Sequence, residues 1–132
     1  MTRTETFPCR TDADVVLARQ AVRRWAIDLR FSLVDQTKLV TAASELARNA
    51  VQYGGGGTLR VDALDDGRRR GLRLVVEDQG PGIADVERAM TDGYTTGNGL
   101  GLGLSGSKRL ANEFAITSAP GVGTRVTLVR WT

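Results

Sequence analysis

The chain contains no histidine. That absence excludes histidine general acid/base work, histidine metal ligands and autophosphorylation on histidine. There is one cysteine, Cys9. It has no internal disulfide partner and reads as an ordinary small strand residue in a reducing compartment. No apolar run approaches the roughly 18 residues that a membrane-spanning helix needs. The opening Met1-Thr2-Arg3-Thr4-Glu5 has no signal-peptide core. The expectation is a cytoplasmic protein with no membrane partner. Charge is little in excess: the net value of +3 permits an acidic partner without showing one. The one basic run, Arg68-Arg69-Arg70, sits beside Asp65-Asp66-Gly67. A solvated hairpin turn accounts for it better than a nucleic-acid patch, so no nucleic-acid partner is expected.

At 132 residues the chain reads as a single domain, 1–132, able to bury about two thirds of its unfolded surface. Glu5 to Arg10 reads as a first strand. Asp12 and Asp14 are N-cap candidates for a helix running to about Arg30. Val15, Ala18, Val22, Trp25 and Leu29 give that helix one apolar face. A connection with a cap, Phe31 to Val34, leads to a second helix. It has Asp35 in its first turn, extends to about Tyr53 and is stopped by Gly54-Gly55-Gly56-Gly57. Thr58 to Leu64 alternates as a strand, Asp65 to Arg70 turns, and Gly71 to Asp78 is the next strand, which together predict an antiparallel hairpin. Asp85 to Met90 reads as a short helix. A third long helix ends near Glu113, and Phe114 to Ala119 and Val122 to Trp131 are strands about a Pro120-Gly121 turn. The order predicts an α+β fold: a mixed, mostly antiparallel sheet with three helices on one face.

The stretch from Thr91 to Gly106 holds six glycines. Ordered glycine is entropically costly, so a run of this kind requires positive φ or close approach of backbone to a ligand. Leu100, Leu102 and Leu104 can anchor the loop while the amides stay bare. A glycine loop entering a helix suits phosphate. Gly101, Gly103 and Gly106 fit G-x-G-x-x-G, but no strand precedes them and no acidic residue follows at the expected distance. A phosphate-loop reading fails by one position, because Ser107-Lys108 stands where Lys-Ser/Thr is required.

Two more elements complete a constellation. On the second helix, Leu39, Ala42, Ala43, Leu46, Ala47 and Ala50 form the buried stripe, and Glu45 and Asn49 lie one turn apart at its edge. The bland reading is a solvated flank shared with Lys38, Thr41 and Gln52. The functional reading is an acid and an amide at a pocket rim. Asn49 offers a hard carbonyl oxygen suited to Mg²⁺, and Glu45 can accept or orient a proton. At the end of a buried strand, Asp78 is followed by Gly80 and Gly82. Such a run is often only a turn. As a base reader, however, the carboxylate would accept from the 6-amino group of adenine, while guanine presents another acceptor. A hydrogen bond to a charged group is worth about 1.5–3 kcal/mol, so ATP should outcompete GTP by roughly ten- to a hundredfold.

In that order, Glu45-x-x-x-Asn49, Asp78-x-Gly80-x-Gly82 and Gly99-x-Gly101-x-Gly103 resemble the N, G1 and G2 boxes of the GHKL ATPases. Gly123-Thr124 resembles that family's Gly-Thr element. The resemblance covers the chain from about Asp35 to the end and implies the Bergerat (HATPase) two-layer α/β sandwich. Within the family, Asp92 to Thr96, Gly99 to Gly106, Lys108 to Leu110, Glu113-Phe114, Pro120 to Thr124 and Trp131 look like the anti-sigma-factor serine/threonine kinases, especially the RsbT type of stress-response partner switching.

Carried over by the resemblance, Asn49 would coordinate Mg²⁺, Asp78 would read adenine, and Gly80 and Gly82 would pass the base and ribose. Gly99, Gly101 and Gly103 would hold the phosphates of ATP with Thr124 nearby, and Glu45 would act as the base toward the acceptor serine. Lys108 is either a phosphate contact or an exposed helix residue. Tyr94 to Asn98 is short for an ATP lid. The implied activity is a Mg-ATP-dependent serine/threonine-protein kinase that phosphorylates a STAS-domain antagonist, with a PP2C-type phosphatase activator or a sigma factor as further partners. The rival readings are an anti-sigma factor that sequesters a sigma factor, an ATP-binding adaptor without transfer activity, and a plain ATPase.

Overall fold

Strand alternation decides which face of the sheet is covered. The computed structural model describes residues 3–52, 54–80 and 107–132. Within them are β1 (Thr4–Cys9), α1 (Asp12–Asp28), α2 (Leu33–Gln52), β2 (Gly57–Asp65), β3 (Arg70–Asp78), β4 (Glu113–Ala119) and β5 (Gly123–Trp131). The five strands form one sheet in the order β1-β2-β3-β5-β4, and every described pairing is antiparallel. The mostly antiparallel α+β expectation is therefore borne out, with no parallel pair among the described residues.

Register stacks like with like. One cross-strand row runs Phe7, Leu59, Val76, Val126, Ile116, and the next runs Glu5, Val61, Leu74, Leu128, Phe114. Leu59, Val61, Leu74 and Leu128 are fully buried. Each contributes about 1.5–3 kcal/mol by leaving water. The helices lie on this face: Val15, Ala18, Val22 and Trp25 of α1 and the expected stripe of α2 join the same core. The alanines at 42, 43, 47 and 50 let α2 lie close to the strands beneath it.

Helix ends differ in detail from expectation. Thr11, not Asp12 or Asp14, caps α1. Its hydroxyl accepts from the Asp14 amide at 3.2 Å, and the Asp14 carboxylate accepts in return from the Thr11 amide at 3.3 Å. This reciprocal box satisfies two end amides at once. α1 stops two residues before Arg30, because Arg30 adopts φ 65. Its amide donates to Ile27 and that of Phe31 to Ala26, the pattern that closes a helix with a left-handed residue. Ser32 caps α2, accepting from the Asp35 amide at 3.1 Å.

Only the end of the third expected helix is described. Residues 107–109 are helical, and the chain then enters β4 at Glu113, where helix was expected to persist. Asn112 accounts for the stop: its amide donates to Val129 and its side chain accepts from Trp131. The expected short helix at Asp85 to Met90, the lid and the glycine loop lie outside the described residues. The Asp65 to Arg70 turn is present, with Asp66 accepting from the amides of Arg68 and Arg69, and Arg69 stacked over Trp131. No helix among the described residues is long and apolar enough to cross a membrane.

Candidate active site

A third row continues the two apolar ones toward one end of the sheet: Cys9, Gly57, Asp78, Thr124, Ser118. Side chains two apart share a face, so Asp78 and Thr124 fall on the helix-covered side, in line with Val76 and Val126. Glu77 points the other way and pairs with Arg125 at 2.7 Å. The strand end thus presents one carboxylate to the site, not two.

Asp78 is half-buried and held in place. Its Oδ1 accepts from the Gly80 amide at 2.9 Å. Beside it, Ser118 Oγ donates to the Gly123 carbonyl at 2.8 Å and lies 2.9 Å from Thr124 Oγ1. With the Ser118 proton on the carbonyl, Thr124 is the donor in that second contact, and its lone pairs remain as acceptors. Gly123 has φ +97, and a Cβ there would run into the Asp78 carbonyl. Cys9, at the far end of the row, is fully buried. Burial, and then the charge of Asp14, push its thiol up to about 11, so it is a neutral packing group.

On α2, Thr41 and Gln52 are exposed, whereas Glu45, Arg48 and Asn49 are half-buried. That departs from the solvated-flank reading. Arg48 Nη1 donates to Glu45 Oε1 at 3.0 Å, one turn of helix from Asn49. The Asn49 Oδ1 is buried and has no hydrogen-bond partner among the described residues. Buried acceptors are almost always paired, so an orphan of this kind requires an explanation. A role as ligand to a hard cation would supply one, and the amide oxygen fits Mg²⁺ on that ground.

The two halves of the site meet at a glycine. The Gly54 amide donates to the Asn49 carbonyl at 3.3 Å, and the Gly56 amide to Ala50 at 2.8 Å, closing α2. The Gly54 backbone then packs against both the Asp78 side chain and Gly80. So the structure brings the end of α2, with Glu45 and Asn49, to the end of β3, with Asp78 and Gly80, and places Thr124 beside Asp78. Lys108 is exposed. Gly82, Gly99, Gly101 and Gly103 lie outside the described residues. Two participants were not singled out from sequence. Gly54 was read only as a helix stop. Ser118 becomes findable once the Pro120-Gly121 turn sets the hairpin register, which puts it opposite Thr124.

Comparison with known proteins agrees with this geometry. The model of the family described as histidine kinase-, DNA gyrase B-, and HSP90-like ATPase matches residues 34–131. The chain is 46% identical over 121 residues to the serine/threonine-protein kinase RsbT of Bacillus subtilis (strain 168), covering 92% of this chain and 91% of that protein. It is 31% identical over 119 residues to the anti-sigma F factor of Halalkalibacterium halodurans, covering 84% and 80%. Among solved structures, the RsbU and RsbW domains of a Mycobacterium tuberculosis protein match with a TM-score of 0.64 at 23% identity, over 98% of this chain and 32% of that one. The mycobacterial sensor histidine kinase MprB matches with a TM-score of 0.59 at 23% identity, over 98% and 97%.

Proposed function

The chain belongs to the histidine kinase-, DNA gyrase B-, and HSP90-like ATPase family, and from that membership we propose a Mg-ATP-dependent serine/threonine-protein kinase that phosphorylates a STAS-domain antagonist in a partner-switching pathway. The observation that carries the reading is the orphaned Oδ1 of Asn49, a residue one helical turn from Glu45 whose main-chain carbonyl is linked through Gly54 to Asp78. An acid, a metal-seeking amide and a base-reading carboxylate at one junction make little sense as surface decoration.

Each residue has a task in that reading. Asp78 accepts from the adenine 6-amino group, and Gly80 borders the base and steadies that carboxylate with its amide. Asn49 holds Mg²⁺, which neutralises phosphate charge when bound. The amides at Gly99, Gly101 and Gly103 hold the phosphates, Gly82 borders the ribose, and Thr124 adds a hydroxyl near them. Glu45 receives the acceptor hydroxyl. Phosphoryl transfer passes through a loose transition state, so Glu45 orients the nucleophile at least as much as it deprotonates it. Its carboxylate is engaged by Arg48, so an acceptor serine competes with that ion pair for the carboxylate. Cytoplasmic ATP would supply the reaction.

The relatives named anti-sigma F factor favour a second reading, in which the chain also sequesters a sigma factor. A PP2C-type phosphatase activator is the other candidate partner. The deciding experiment is transfer from γ-labelled ATP with Mg²⁺ into a STAS protein of the same source, beside Glu45→Ala. The expected result is label on serine or threonine, reduced on the order of 10²–10⁴ in the variant. Asp78-dependent ATP binding with no labelled protein would overturn the kinase reading and leave the sequestering one.

A further inference from the structure

The four glycines after α2 look alike in sequence but answer to different constraints. Gly55 has φ +70 with nothing within 4 Å of a Cβ, and Gly56 has φ +103. These two are glycine for backbone conformation. Gly54 is buried and lacks a positive φ, so conformation does not demand glycine there. Space does. A methyl group at Gly54 would lie 2.5 Å from Asp78 Cβ and 2.6 Å from its Oδ2, and closer still to Cγ. Carbon contacts are comfortable only near 3.5–4.0 Å. Across the same backbone, a Cβ at Gly80 would lie 2.5 Å from Gly54 Cα and 2.7 Å from its carbonyl oxygen.

We infer that Gly54 is a specificity-determining positioning residue: its bare Cα is the wall that, with the Gly80 amide, holds the Asp78 carboxylate at the angle that distinguishes adenine from a 6-oxopurine. The inference rests on the reading of Asp78 as the adenine acceptor. It adds that selectivity is set from α2, through the bond between the Gly54 amide and the Asn49 carbonyl, and not by β3 alone. What yields in Gly54→Ala is also specified. Of the obstructing atoms, Asp78 Cγ and Oδ2 can rotate away, but its Cβ is fixed to the strand, so the turn at Gly54 must also back away from β3; a Cβ at Gly57, Gly80 or Gly123 would meet the backbone itself. Rotation and that shift together break the bond from the Gly80 amide to Oδ1 and swing the carboxylate off the base.

The test uses the whole chain and direct binding of ATP and ITP, whose base carries a carbonyl oxygen where adenine has its amine. Wild type should prefer ATP by about ten- to a hundredfold, and Gly54→Ala should bring the two to within roughly threefold of each other, mostly by weakening ATP. Gly55→Ala is the control. It places a side chain at positive φ in open space, so it strains the same turn without touching Asp78, and it should keep the wild-type ratio. On an Asp78→Asn background, Gly54→Ala should change the ratio no further, because the two act through one carboxylate. If Asp78→Asn leaves the ATP preference intact, the reading of Asp78 fails, and this inference with it. If Asp78→Asn abolishes the preference while Gly54→Ala preserves it, the inference alone is overturned. A Gly54→Ala chain that does not fold overturns it too, since the Asp78 side chain would then not be what gives way.

Discussion

Replacing Asn49 by leucine should make the empty protein more stable and the nucleotide-loaded protein less so. Asn49 Oδ1 is buried without a partner among the described residues. Leaving such an acceptor unsatisfied costs about 1–3 kcal/mol. Leucine has a similar size, carries no acceptor, and gains a few tenths of a kcal/mol in helix propensity, roughly up to 0.5. The nucleotide-free Asn49→Leu chain should therefore exceed wild type by about 1–3 kcal/mol. For a chain of this length that is a rise of roughly 3–5 °C in Tm per kcal/mol.

Saturating Mg-ATP reverses the order. A ligand at a thousandfold its Kd stabilises the folded state by about 4.1 kcal/mol, more than the empty variant's lead. Wild type should gain that increment, and the variant should gain little of it. With EDTA present the two should respond to ATP nearly alike, because the amide acts through the metal. The assay is urea unfolding with a constant m value, run empty, with ATP and EDTA, and with Mg-ATP. Two results refute the reasoning. One is an empty variant less stable than wild type by more than about 1 kcal/mol, which would mean that the amide already makes good bonds. The other is an equal Mg-ATP increment in both chains. A crossing of this kind is the signature of a site that the rest of the fold has to support.

Two further perturbations test how the sheet is tied down. Arg130 donates to the Leu110 carbonyl at 3.0 Å and to Asp35 at 2.7 Å, clamping the start of α2 and the approach to β4 onto β5. Arg130→Met should lower stability by about 2–3 kcal/mol, read as a lower urea midpoint; a neutral result would show that the clamp does not hold in solution. Asp62 is buried between Thr4, Arg60 and Arg73. Burial acts to raise its carboxyl, but the hydrogen bonds from Thr4 and Arg73 and the charge of Arg60 outweigh it and hold the group below its ordinary value. The unfolded chain then takes up the proton first as pH falls. The contribution is complete above about pH 4 and is lost as pH drops through the folded value beneath it. Asp62→Asn should flatten the acid limb of the stability profile below about pH 4, and an unchanged slope there would reject the assignment.

The strands were legible because period-two alternation is a direct imprint of one covered face. Leu59, Val61, Leu72, Leu74 and Val76 could not be placed otherwise. Caps were harder. Thr11, Asp12 and Asp14 compete for one helix start, and only the three-residue spacing from Thr11 to Asp14 separates cap from reciprocating acid. Local propensity misled at residues 110–113, where Leu110, Ala111 and Glu113 favour helix. There the chain turns through 110–112, and the ladder partner Val129 and the side chain of Asn112 start strand at Glu113 instead. Position in a periodic pattern showed Asn49 at the edge of a stripe. It did not show that its oxygen is left alone, because that depends on what every neighbour fails to offer. Nor does a run of four glycines reveal which are bent and which are crowded.

The site occupies the place where the apolar rows end. Two rows of the sheet are filled, apart from Glu5 at the edge strand, by branched aliphatic and aromatic side chains, and the third holds Asp78, Thr124 and Ser118 on the same covered face. The alanine stripe of α2 runs out at Ala50, one residue beyond Asn49. The groups proposed to read the nucleotide therefore sit on rigid elements at the margin of the core, where water and ligand can reach them but the backbone cannot drift. That placement is indifferent to what happens after binding. A kinase and a nucleotide-dependent sequestering factor can share every residue of it except the one that meets the acceptor hydroxyl. Asn49→Leu consequently reports on metal-nucleotide binding in either case, whereas Glu45→Ala abolishes labelling only if phosphate is transferred. A chain that loses Mg-ATP stabilisation with the first variant, yet is unaffected in partner binding by the second, is a sequestering factor. One that loses transfer with the second while still binding nucleotide is a kinase.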